Sequence, residues 1–163
     1  MRRTAVKRIT IFGMLTALAF VLSYLESLIP FSFGIPGIKL GLANVTIVCA
    51  LYLLGSREAF CLSVVRIILA GFTFGNLYSM LYSLAGGVLS MAVMILLYHT
   101  KKFTVMGVSA AGGVFHNMGQ LIVAGLTLGR NITYYYPFLV LSGMITGLAV
   151  GLTGGLVIKR LRL

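Results

Sequence analysis

Arg66 stands inside the run Leu62-Ser63-Val64-Val65-Arg66-Ile67-Ile68-Leu69-Ala70, whose other members are all uncharged. A guanidinium in such surroundings can do two things. It can pair within the chain, with Glu26 or with backbone carbonyls, or it can hold an anionic ligand. A second cluster lies at His116-Asn117-Met118-Gly119-Gln120. On a helix, His116 and Gln120 are four apart and Asn117 and Gln120 three apart, so they are neighbours on one surface. They line either a packed polar seam or a cavity. A third group is Pro36-Gly37-Ile38-Lys39-Leu40-Gly41-Leu42-Ala43-Asn44. Small residues and a cation at a helix N-terminus can cradle an anionic group, with Asn44 adding an amide. The plainer account is a turn, a Lys39 that reaches toward the membrane surface, and an interhelical hydrogen bond from Asn44. Glu26 and Glu58 are the two acids of the chain. Glu58 fits the N-terminus of a helix, where an acid is favoured. Glu26 is solvated at an interface, paired with Lys39, or in contact with a ligand.

Other chemistry is poorly supplied. The chain contains no Asp, so no aspartate-rich magnesium motif can hold a diphosphate. His99 and His116 are its two histidines, and no metal-ligand spacing or phosphate-cradling loop occurs. Cys49 and Cys61 form no CxxC pair and read as small packing residues. No catalytic residue, metal or cofactor is expected, and an autonomous enzyme is not.

The elements that must position these side chains follow from composition. Of 163 residues, 60% are hydrophobic and 9% charged, and mean hydropathy is +1.07. Soluble domains carry about a quarter charged residues; here lipid must be the solvent for much of the exterior. The length suits a single domain, 1–163, of six apolar spans of roughly 20 residues. They run from about Ile9 to Ile29, Leu40 to Leu54, Glu58 to Phe74, Leu77 to Tyr98, Thr104 to Leu128 and Pro137 to Ile158. Phe31 to Lys39 reads as a loop. An N-terminal secretory signal is the weaker reading of the first run, which is too long for one.

The formal charge of +11 is placed at span ends, which argues against nucleic acid and for topology. Arg2, Arg3, Lys7, Arg8, Arg57, Lys101, Lys102, Lys159, Arg160 and Arg162 fall on one side. Lys39 and Arg130 fall on the other. Such a bias puts both chain ends in the cytoplasm.

Glycine provides the packing logic. Gly143, Gly147, Gly151 and Gly155 recur every four residues, and a strip without side chains lets a neighbouring backbone approach. Gly13 and Ala17 repeat the theme in the first span. Packing within the chain is the simpler reading for both; the alternative is a docking face for another membrane protein.

Taken together, Leu22-Ser23-Tyr24-Leu25-Glu26, Gly37-Ile38-Lys39-Leu40-Gly41-Leu42-Ala43-Asn44, Arg66, Ser83-Leu84-Ala85-Gly86-Gly87 and His116-Asn117-Met118-Gly119-Gln120 resemble the bacterial Gx transporter family. That family is also labelled heptaprenyl diphosphate synthase component I. It looks related to the substrate-binding S components of energy-coupling factor transporters, small six-helix membrane proteins. The resemblance implies a ligand site near the outer face and a first helix that docks a transmembrane coupling subunit. Carried over, it points to Glu26, Lys39, Asn44, Arg66, His116, Asn117 and Gln120 for substrate, and to Gly13 and Ala17 for docking. Docking motifs of this kind often use Ala at both positions, so Gly13 departs mildly.

The expectation is therefore an all-α six-span bundle, N-in and C-in, in the bacterial cytoplasmic membrane. It would capture a small anionic molecule for uptake, energised by partner ATPases. The alternative is a noncatalytic accessory subunit of a heptaprenyl diphosphate synthase. A membrane partner with no ligand is a third class.

Overall fold

The computed structural model describes residues 2–28, 41–128, 134 and 136–161. Lys39, the loop expected from Phe31 to Lys39, and the turn at Gly129-Arg130-Asn131 lie outside the described residues. Those residues form six α-helices: α1 (Arg2–Leu28), α2 (Asn44–Leu53), α3 (Ser56–Phe74), α4 (Leu77–Thr100), α5 (Val105–Leu128) and α6 (Tyr136–Leu161). No strand occurs among them.

Tight turns make α2, α3, α4 and α5 successively antiparallel. Gly55, at φ 116°, occupies backbone space that side chains disfavour and reverses the chain between α2 and α3. Asn76 caps α4 by accepting from the Ser79 N–H at 2.8 Å, while Ser79 Oγ accepts from the Asn76 N–H in return. Helices α2, α3, α4, α5 and α6 contact one another in a closed ring, α6 returning to α2, and α1 lies outside against α2 and α3. Phe20 and Tyr24 of α1 each sit 5.0 Å, centroid to centroid, from Phe74 at the end of α3. At the opposite end Arg8 meets Glu58 at 2.6 Å. The two helices therefore run parallel.

Three helices, Ala5–Leu28, Leu77–Thr100 and Tyr136–Leu161, are long and apolar enough to cross a membrane. The others differ for identifiable reasons. α2 has 10 residues, about 15 Å against a ~30 Å hydrocarbon core, and begins four residues later than the expected second span. α3 carries Arg57, Glu58 and Arg66, and α5 carries His116, Asn117 and Gln120 at its middle. Of these, Arg66, His116, Asn117 and Gln120 turn into the bundle, whereas Arg57 is exposed and Glu58 is half-buried at the start of α3.

Close backbone contacts set the ring. A Cβ on Gly113 would collide with the Gly143 carbonyl oxygen; one on Gly147 would lie 2.6 Å from Ser109 O, and one on Gly151 2.7 Å from Met106 Cα. Gly155 meets α5 only at ordinary contact, 3.9 Å from Val105. Thus α6 presses its glycines onto the α5 backbone. On the other flank of α5, a Cβ added at Gly86 would lie 2.6 Å from His116 O, and one at Gly119 2.7 Å from Ala85 O. Below these crossings Ile47, Val48, Leu51, Leu62, Met91 and Val108 form the apolar core.

Gly13 behaves differently. Its Cβ position meets nothing within 4 Å, and Ala17 is exposed. Among the described residues the intrachain packing expected for that small-residue face is absent, and α1 leaves the face open.

Candidate functional site

Each helix sends at least one polar or backbone group to a common recess of about 40 Å³. Glu26 comes from the last turn-and-a-half of α1, Asn44 from the first residue of α2, and Arg66 from mid-α3. Ser83 comes from α4, His116, Asn117 and Gln120 from α5, and Thr146 from α6. By helix direction the recess lies toward the end of the bundle opposite Arg57, Lys101, Lys102, Lys159 and Arg160.

The local geometry explains how each side chain is held. Gly41, at φ 71°, turns the chain into α2, and its N–H donates to Glu26 Oε1 at 2.6 Å. The anion at the α2 N-terminus is thus the chain's own carboxylate, where exposed N–H groups favour negative charge. Expected pairing of Glu26 with Lys39 falls outside the described residues. Arg66 donates through a terminal nitrogen to Asn44 Oδ1 at 3.0 Å. Glu26 and Arg66 attract one another across the recess, yet the direct ion pair among the described residues is Arg8–Glu58. The intrachain partner of Arg66 is therefore an amide, where a carboxylate was one of the options. Glu58 does stand in the first turn of α3, and its carboxylate also receives Arg8.

On α5 the cluster divides its labour. Asn117, 9% exposed, donates from Nδ2 to Leu139 O at 2.7 Å and to Ser142 Oγ at 3.3 Å, bracing α6. His116 and Gln120 lean toward α4, where only a glycine at position 86 leaves them room: an added Cβ would come within 3.1 Å of His116 Cε1 and 3.0 Å of Gln120 Cγ.

Two buried atoms are left over. Among the described residues, Arg66 Nε and Gln120 Oε1 are sealed from solvent and have no hydrogen-bond partner. One is a donor and the other an acceptor. A buried polar atom without a partner costs roughly 1–3 kcal/mol, so two at one site require explanation.

Beyond Arg66 a second void of about 30 Å³ continues toward the core. It shares Gly41, Asn44, Arg66, Gly113, His116 and Thr146 with the recess and adds the hydroxyls of Ser63, Ser90 and Ser109. These serines, with Ser83 and Thr146, were not singled out in the sequence. Hydroxyls are inexpensive in apolar helices and commonly bond their own backbone, so they carry little signal; Ser83 lies in a motif, and Thr146 lies within the α6 glycine strip.

No curated protein and no solved structure matches the chain. The family model described as heptaprenyl diphosphate synthase component I matches residues 15–157, a stretch holding every recess residue named above. The chain belongs to the heptaprenyl diphosphate synthase component I family.

Proposed function

We propose that this protein is the substrate-binding membrane subunit of an uptake system for a small molecule bearing an anionic group. One observation carries the reading: Arg66 and Gln120, which line a recess built by all six helices, each hold a buried polar atom without a partner among the described residues. Groups left in that state are costly in an empty protein and useful in one that binds. In this reading the six-helix bundle spans the bacterial cytoplasmic membrane, with the short α2 making only the inner part of its crossing. The basic end faces the cytoplasm, and the recess lies near the outer face with Lys39 among its ligands.

The chain supplies no phosphate-cradling loop of the kind an ATPase needs, so pumping falls to partners. The open face at Gly13 and Ala17 is where a transmembrane coupling subunit would dock, as in the S components that the motifs resemble. Thermal stability of the purified protein against a set of small acids tests the binding role, since a ligand that binds only the folded state raises stability. Binding that survives both Arg66→Ala and His116→Ala would mean that the recess is not the site.

The family description favours a second reading, a membrane component of heptaprenyl diphosphate synthase. With no Asp in the chain, such a role is that of a noncatalytic partner. Co-purification with a soluble prenyltransferase, with a rise in its activity, is the outcome that separates it.

A further inference from the structure

Given the binding role proposed above, on which this inference rests, the two unpartnered atoms specify the ligand more narrowly than a negative charge does. Arg66 Nε can only donate and Gln120 Oε1 can only accept. A simple anion satisfies the first and leaves the second buried and unpaired. Charge balance points the same way. Among the described residues the recess carries one acid, Glu26, and one base, Arg66. A ligand with several negative charges brings more than one of them into repulsion with the Glu26 carboxylate. Volume points to a small ligand as well: the space among the described residues is about 40 Å³, roughly three waters, and the adjoining void is about 30 Å³.

We infer that the ligand is a compact amphoteric acid. Its planar anionic acceptor takes the Arg66 Nε–H, and an N–H or O–H donor a few bonds away takes Gln120 Oε1. Small α-amino and α-hydroxy acids have this chemistry; fatty acids, diphosphates and bare anions do not. Gln120 is then the specificity residue. Its rotamer room comes from Gly86, whose missing Cβ leaves the space beside Gln120 Cγ.

The test uses the full chain in detergent and four probes matched in size: alanine, lactate, propionate and propanamide. Alanine or lactate should raise the melting temperature with a midpoint concentration at least tenfold below that of propionate or propanamide. Gln120→Met keeps length and bulk but removes the acceptor. It should melt no lower than the parent without ligand and should lose the preference over propionate. Equal responses to lactate and propionate in the parent overturn the donor requirement while leaving acid binding in place. A preference that persists in Gln120→Met overturns the role given to that residue. Silence to all four probes overturns the compact amphoteric ligand. The binding role is then judged separately, by whether the parent but not Arg66→Ala retains a small molecule on gentle extraction.

Discussion

Arg66 and Asn44, twenty-two positions apart in sequence, meet at 3.0 Å where mid-α3 passes the first residue of α2. This contact orients the guanidinium but does not exhaust it, because Nε remains buried without a partner. A purely structural arginine would be expected to use its fork fully.

Replacing Arg66 should therefore separate binding from stability. Arg66→Ala leaves Asn44 Oδ1 without its donor and should cost roughly 1–3 kcal/mol in the unliganded protein. Ligand-induced stabilisation should vanish altogether. Arg66→Lys retains charge but loses the planar fork, and should bind at least tenfold more weakly. Thermal denaturation with and without ligand reads both effects.

Asn117 should report on helix packing more than on ligand. Asn117→Ala removes the donor to Leu139 O and Ser142 Oγ, freeing α6 from α5. A loss of roughly 1–3 kcal/mol is expected in the apo protein, visible as a lower melting temperature in the same detergent.

Two glycine substitutions should have opposite outcomes. Gly113→Ala drives a methyl into the Gly143 carbonyl oxygen and should destabilise by about 1–3 kcal/mol, as overpacking does. Gly13→Ala meets nothing within 4 Å and gains helix propensity of up to ~1 kcal/mol, so stability should hold or rise. Gly13→Leu should likewise fold, while losing capture of a coupling subunit in a pull-down from membranes. Retained capture would remove that face from the docking proposal.

Arg8 and Glu58 form a partly exposed pair. Arg8→Ala should cost under ~1 kcal/mol, and less at high salt. Sidedness is the more informative readout at this end. Lys102→Cys and Asn76→Cys, each in a Cys61→Ser background, should label from opposite faces of the membrane.

The helices were legible from the sequence because their apolar runs end at Gly and Asn turns, as at Gly55 and Gly75-Asn76. Their ends were less so: the second apolar run yields a helix only from Asn44, since Gly41 takes a left-handed turn that a continuous run of Leu and Ala does not announce. Arg66, Asn44, Glu26 and the α5 cluster were conspicuous because charges and amides are expensive at membrane depth. What they bond to was hidden. Whether Arg66 would reach Glu26 or Asn44 depends on how far α2 slides along α3, and no local pattern encodes that. The serines of the deeper void were silent for a different reason, their low cost in any apolar helix. Gly13 and the α6 strip read alike in sequence, and only the packing of α1 separates an open face from a closed one.

Native mass spectrometry of the gently extracted full chain, wild type beside Arg66→Ala, tests the recess most directly. The account predicts that a fraction of the wild-type protein carries one small polar acid and that the variant carries none. Wild type and variant each appearing only at its own bare-chain mass, with no adduct restored by added acids, would contradict it.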